Sequence, residues 1–244
     1  MTRWRKLNHL WCAWPSNPIG LVEMIGGSYI SASPHISYKR LLESLYSKGF
    51  AIHTWPYIPG FDHQTQANQA WKSFRHTREK LELRVSSQLR TIRIGHSLGC
   101  KLHLLAPDGG RKSNALINIS FNNFNINRSI PMIGKLAAKM NIKTEFSPSP
   151  KETINIIYSQ YQQKNNLIIR FKNDELDQSS GLISCLKMRK EDSSKELLLE
   201  GNHLTPVSTG LSNNILGNSI SSSYRERNLK MLINEIYIYS KLNL

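Results

Sequence analysis

The stretch Thr91-Ile92-Arg93-Ile94-Gly95-His96-Ser97-Leu98-Gly99 constrains the fold more than any other part of the chain. A β-branched run meets Gly95-x-Ser97-x-Gly99, and an apolar helical stretch, Leu98 to Leu105, begins at once. Small residues two before and two after a serine suit a sharp strand-to-helix turn, where larger side chains would strike the neighbouring strands. Such a turn holds the hydroxyl out at the sheet edge. The helix that follows adds unpaired amides and the positive end of its dipole. Together these make a nucleophile elbow. The plainer reading is that Ser97 is only a turn residue.

The elbow demands a sheet around it, and the rest of the chain supplies strands. Leu21–Ile25, Phe50–Trp55, Thr91–Ile94, Ala115–Ile119, Leu167–Phe171 and Glu196–Leu199 are apolar runs of strand length. Helical periods lie between them, over 35–48, 64–83 and 98–105, and a closing amphipathic helix covers 224–241. Strand alternating with helix predicts a single α/β domain over 1–244, with a mostly parallel central sheet covered by helices on both faces. One interval breaks the rhythm. Residues 121–165 hold apolar helical pieces and the Ser147-Pro148-Ser149-Pro150 punctuation. They are expected to form a cap or lid insertion over the C-terminal edge of the sheet, where open α/β sheets bind ligands.

A serine hydroxyl is a weak nucleophile without a base, and the base needs an orienting acid. Of the eight histidines, His203 alone lies beyond the elbow and its helix, in Glu200-Gly201-Asn202-His203 after the last strand. The acid should follow the preceding strand, in Lys172-Asn173-Asp174-Glu175-Leu176-Asp177. Asp174 stands at the usual reach, with Asp177 as its rival. The spacing leaves room for one crossover helix and one strand between acid and base. The oxyanion should be received by the Leu98 amide and by a second from Gly26-Gly27-Ser28, through Ser28 or else Gly27. His96 is expected to pack or to support the site from behind. His53, Trp55 and Tyr57 either line the cleft or pack the core. This chemistry requires no cofactor and no metal.

Composition narrows the partners. The 244 residues are 39% hydrophobic and 20% charged, which suits a folded domain with a real core. Lys and Arg number 32 against 17 Asp and Glu, for a formal charge of +15. That field favours anionic partners. The cations are scattered, however, and no nucleic-acid-binding motif accompanies them, which argues against nucleic acid. Three distant cysteines, Cys12, Cys100 and Cys185, suggest neither a disulfide framework nor a metal knuckle. The basic N-terminus lacks the apolar core of a signal peptide, and no run approaches a membrane span. A cytoplasmic protein is expected, at most peripheral to an anionic membrane surface.

The elbow, the glycine turn, the Pro59-Gly60 turn and the late histidine together resemble the α/β-hydrolase superfamily. More narrowly, IGGSYISASP, HISYKRLLESLYSKGF, IGHSLGCKLHLL and FKNDELDQ are similar to the domain-of-unknown-function family 1350 of cyanobacteria and chloroplasts, from about residue 20 to 205. The resemblance implies an α/β-hydrolase fold and a photosynthetic lineage. Two positions depart from common hydrolases: Gly26-Gly27 replaces a His-Gly pair, and Lys172-Asn173 precedes the acid where a glycine is frequent. The expected function is a serine hydrolase cleaving an ester or thioester through an acyl-enzyme, with a small-molecule or lipid-like substrate. The alternative is a catalytically inactive binding or assembly module that keeps the fold.

Overall fold

The structure is a computed structural model, and it describes residues 2–28, 30–125, 145–208 and 222–244. The described residues form one eight-stranded sheet: β1 (Arg5–Leu7), β2 (Leu10–Ala13), β3 (Gly20–Ile25), β4 (Phe50–Trp55), β5 (Thr91–His96), β6 (Ala115–Ile119), β7 (Asn166–Phe171) and β8 (Lys195–Leu199). Their spatial order is β1-β2-β4-β3-β5-β6-β7-β8. β1 and β2 are antiparallel to each other, β2 is antiparallel to β4, and every pair from β4 to β8 is parallel. This is the mostly parallel sheet expected from the alternating runs.

Burial follows from that layout. β3, β4 and β5 are buried at every position, as strands covered on both faces must be. The edge strand β8 exposes Lys195 and Glu196, charges that discourage pairing with another chain. Helices α1 (Pro34–Ser37), α2 (Lys39–Ser47), α3 (His63–Val85), α4 (Leu98–Leu104), α5 (Pro150–Gln160), α6 (Ser179–Lys187) and α7 (Ser222–Leu242) complete the described elements. Leu41, Leu42 and Leu45 of α2 and Leu232 and Ile236 of α7 pack with Ile92, Ile94, Ile117 and Ile119 on one face. On the other face, Leu98 and Leu102 of α4 meet Ala67, Ala70 and Phe74 of α3. There too, Ile157 of α5 and Leu182 and Leu186 of α6 pack with Leu116 and Ile168.

Two details differ from the sequence expectation. The 35–48 helix is two helices, broken at Tyr38. The hairpin β1–β2 was not foreseen: its turn uses Asn8 and His9, both at positive φ, and β2 adds to the edge of β4. Helix α5 falls within the 121–165 interval. Ser149 and Glu152 form a capping box with Pro150 in the first turn, and the helix buries Ile157 in the sheet layer like any crossover helix. The centre of the cap expected over 121–165, residues 126–144, lies outside the described residues.

The chain passes from β3 to β4 on one side and then to β5 on the other. The strand order therefore reverses between β3 and β5, and such a switch point opens a crevice at the carboxyl ends of the strands. Gly26-Gly27 leaves β3 there, and Ser97 leaves β5.

Candidate active site

Ser97 sits between β5 and α4 with φ 55° and ψ −121°, a conformation that costs a non-glycine residue energy and persists only when its surroundings enforce it. Its amide donates to the Ile119 carbonyl of β6 at 2.9 Å. Its hydroxyl does not cap the helix it precedes. The side chain is largely buried, with 7% of the residue exposed. The Leu98 amide, first in α4, and the Ser28 amide donate to no group among the described residues. The Gly27 amide is committed, because it donates to the Tyr38 hydroxyl at 2.8 Å. Of the two second donors expected for an oxyanion, the Gly27 amide is paired with Tyr38 and the Ser28 amide has no partner among the described residues.

Asp174 and His203 meet across 29 residues of chain. His203 Nδ1 lies 3.0 Å and 2.9 Å from the two Asp174 carboxylate oxygens. The loops that carry them are tied together as well. Lys172 N–H donates to the Leu199 carbonyl at 3.0 Å, and Asn173 N–H to the Gly201 carbonyl at 3.1 Å. Burial pushes the Asp174 carboxyl pKa up, but the hydrogen bond and charge of His203, with Ser120 and the Leu176 amide, outweigh it and hold it below its ordinary value. An ionised carboxylate only accepts hydrogen bonds. The His203 Nδ1 therefore carries a hydrogen, and Nε2 is the nitrogen left for other partners.

The remaining link is open. No hydrogen bond joins the Ser97 hydroxyl to the His203 ring, although His203 is held beside the elbow: its carbonyl is 2.9 Å from His96 Nε2, and the two rings are 4.9 Å apart. In unliganded sites such contacts are often long and tighten only with substrate.

The rival acid is otherwise engaged. Asp177 accepts from Arg170 Nε at 2.7 Å and from the Ser179 amide and hydroxyl at 3.2 and 2.5 Å, opening α6. His53 is fully buried and accepts from Trp14 Nε1 at 2.9 Å, while Trp55 stacks on Tyr57 at 4.9 Å. These residues pack the core. The Cys100 thiol is buried against β6, and burial pushes its pKa up, away from reactivity. Among the described residues, no three His, Cys, Asp or Glu side chains converge as metal ligands. No helix among them is long and apolar enough to cross a membrane.

Tyr38 is the contact residue that sequence reasoning missed. It reads as one more aromatic in a helical period. Its only outward sign was Gly26, which leaves room for its ring.

Solved proteins share this architecture at low sequence identity. Carboxyl esterase 2 from the mycorrhizal fungus Tuber melanosporum is 15% identical, with a TM-score of 0.67 over 99% of this chain and 86% of that one. XC6422 from Xanthomonas campestris, an α/β serine hydrolase without a lid, is 14% identical, with a TM-score of 0.57 over 100% of this chain and 95% of that one. A monoacylglycerol lipase from Paleococcus ferrophilus is 13% identical, with a TM-score of 0.57 over 92% and 98% of the two chains. No curated protein matches the chain in sequence. The family described as "Protein of unknown function (DUF1350)" matches residues 3–223, and the chain belongs to that family, with the fold of the α/β-hydrolases.

Proposed function

We propose that the chain is a serine hydrolase that cleaves an ester or thioester through an acyl-enzyme. The Ser97 hydroxyl attacks the substrate carbonyl as His203 Nε2 takes its proton. Asp174 stabilises the imidazolium that forms. The Leu98 and Ser28 amides receive the oxyanion of the tetrahedral intermediate. His203 then returns the proton to the leaving alcohol or thiol, and the acyl group stays on Ser97. Water repeats the sequence on the acyl-enzyme, releases the acid and restores the hydroxyl.

One observation carries this reading: the Asp174 carboxylate on His203 Nδ1, 2.9 Å away, beside a serine on a strained elbow. The fold of the neighbours supports hydrolase chemistry without fixing the substrate. The formal +15 favours an amphiphile with an anionic head, met in solution or at an anionic membrane surface. Hydrolysis that ignores both acyl length and salt would count against that substrate class.

The open Ser97–His203 link favours a second reading, a binding module without turnover. A fluorophosphonate probe separates the two. The hydrolase reading expects the wild type to be labelled and Ser97→Ala not to be. Equal labelling of both, or of neither, would sink it.

A further inference from the structure

His96 precedes Ser97 and takes no step in the proposed reaction, yet both its ring nitrogens are engaged. Nδ1 lies 2.8 Å from the Tyr38 hydroxyl, and Nε2 lies 2.9 Å from the His203 carbonyl. Gly27 N–H donates to the same tyrosine oxygen at 2.8 Å. All the protons in this chain can be placed. A carbonyl only accepts, so His96 Nε2 carries a hydrogen. Burial lowers the His96 pKa to about 3, with the neighbouring His203 adding to the effect, so the ring is neutral and Nδ1 is an acceptor. Tyr38 must therefore donate to Nδ1 while it accepts from Gly27. Its own burial keeps the phenol protonated. The order runs from Gly27 N–H to the Tyr38 hydroxyl, to His96, to the His203 carbonyl, with one direction and no free partner.

The backbone is shaped around this chain. The break between α1 and α2 falls on Tyr38 itself, at φ −112° and ψ 22°. A methyl group on Gly26 would stand 2.5 Å from Tyr38 Cε2 and 2.9 Å from its hydroxyl oxygen. One on Gly27 would stand 3.0 Å from Ser97 Cβ and 3.1 Å from His96 Nδ1. Gly26 thus leaves the space this tyrosine needs, and Gly27 the space for Ser97 and His96. The same helix junction grips the histidine loop a second time, since Ser208 N–H donates to the Ser37 carbonyl at 2.8 Å.

We propose that Tyr38 and His96 are positioning residues: a proton-ordered bridge that fixes the main chain of His203 against the elbow and the oxyanion turn at once. The bridge rests on the hydrolase reading for its consequence in catalysis, but not for its existence. A neutral His96 also suits its place, because a second cation 4.9 Å from the imidazolium formed at His203 would oppose the reaction.

Two measurements on the full chain test it. The first follows the His203 Nδ1–H proton by NMR, which the Asp174 hydrogen bond protects from exchange. That resonance should be sharp in wild type, lost in His96→Ala, and kept in His96→Gln, whose amide can still donate to the His203 carbonyl. The second follows the fluorophosphonate labelling rate. We expect a loss of about tenfold or more in His96→Ala, recovery to within roughly threefold of wild type in His96→Gln, and an intermediate loss in Tyr38→Phe. Tyr38→Phe removes one oxygen and serves as the test if His96→Ala does not fold: the His203 proton should then exchange faster than in wild type. A protected His203 proton in His96→Ala, or in Tyr38→Phe where that stands in, overturns the bridge. Labelling as fast in His96→Ala as in wild type overturns it equally. If the wild type is not labelled at all, the hydrolase reading fails and the NMR measurement alone decides the bridge.

Discussion

Gly99 is packed so closely on Ile25 that a methyl group in its place would stand 2.1 Å from the Ile25 carbonyl oxygen. Gly95 is similar: its methyl would meet the Cys100 Cα at 2.5 Å. Both contacts are with backbone, which cannot rotate out of the way. α4 therefore leaves β5 against the end of β3, and this forces Ser97 into its positive φ. The two small residues around the serine are a steric requirement of the turn before they are a mark of chemistry.

Glycine substitutions should therefore split by site. Gly99→Ala should give protein that does not fold, or that loses more than the roughly 1–3 kcal/mol usual for overpacking a core. Gly181, within α6, has nothing within 4 Å of the place its methyl would take. Gly181→Ala should stabilise by about 0.5–1 kcal/mol, the gain expected inside a helix. Urea midpoints measure both. A Gly99→Ala protein as stable as wild type would mean that the elbow is not held as described.

The two aspartates after β7 should separate by function. Asp174→Asn keeps the side-chain shape but presents the wrong group to His203 Nδ1. It should slow fluorophosphonate labelling by about a thousandfold or more, with the fold intact. Asp177→Asn breaks the pairing with Arg170 and the start of α6. It should cost about 1–3 kcal/mol of stability and leave labelling within roughly threefold. Labelling rates and melting curves on the two variants decide the matter, and the opposite pattern would make Asp177 the acid.

Much of this was legible in the sequence, and the part that was not has a physical cause. The strands β3, β4, β5, β6 and β7 read cleanly, because strands buried on both faces are written as unbroken apolar runs. Ser97, Asp174 and His203 were singled out because each follows a strand; of these, the structure joins Asp174 to His203 and leaves no hydrogen bond from His203 to Ser97. The hairpin β1–β2 did not. Arg5–Leu7 carries no alternation, and its pairing with β2 depends on a β4 edge far along the chain. The break at Tyr38 was invisible for a similar reason: a hydroxyl bridging Gly27 and His96 overrides a helical period that by itself runs on. The Arg170 partner of Asp177 lies on the preceding strand, out of reach of any local pattern, so both carboxylates looked available.

The interior beneath the sheet holds a charge network remote from the elbow. Arg93 forks onto Asp108 at 2.9 and 2.7 Å and reaches Glu23 at 3.5 Å, with the Arg93 and Asp108 side chains 2% and 6% exposed. Burial pushes the Asp108 pKa up, but Arg93 and the Gly110 and Lys112 amides prevail and hold it at about 2. A carboxyl depressed below its unfolded value of about 4 stabilises the fold fully above pH 4, and that contribution is lost as pH falls through 2. The stability gap between wild type and Asp108→Asn should accordingly be large at pH 7 and close between pH 4 and 2. Arg93→Met, which strands Asp108, should cost about 3–5 kcal/mol at pH 7. A gap that stays constant down to pH 2 would refute the coupling.

Lys101 should give the same direction of pH dependence at higher pH, because its buried charge is a cost that deprotonation relieves. It lies in α4 one turn beyond Ser97, is 1% exposed, and donates from Nζ to the Pro148 carbonyl at 2.9 Å. Burial lowers its pKa to about 7, against the weaker pull of Glu152. Below pH 7 the folded and unfolded chains both hold the proton, and the fold bears the full cost of the buried charge. Between 7 and the unfolded value of about 10.4, only the unfolded chain holds it, so stability rises with pH. Lys101→Met removes the charge and with it the slope. Relative to wild type, the variant should be most favoured at pH 6 and should lose that advantage toward pH 10, by on the order of 2–4 kcal/mol. Chemical denaturation of both proteins at pH 6, 8 and 10 measures the difference directly. A difference that does not change with pH would show that Lys101 keeps its proton throughout, with the Pro148 carbonyl outweighing burial.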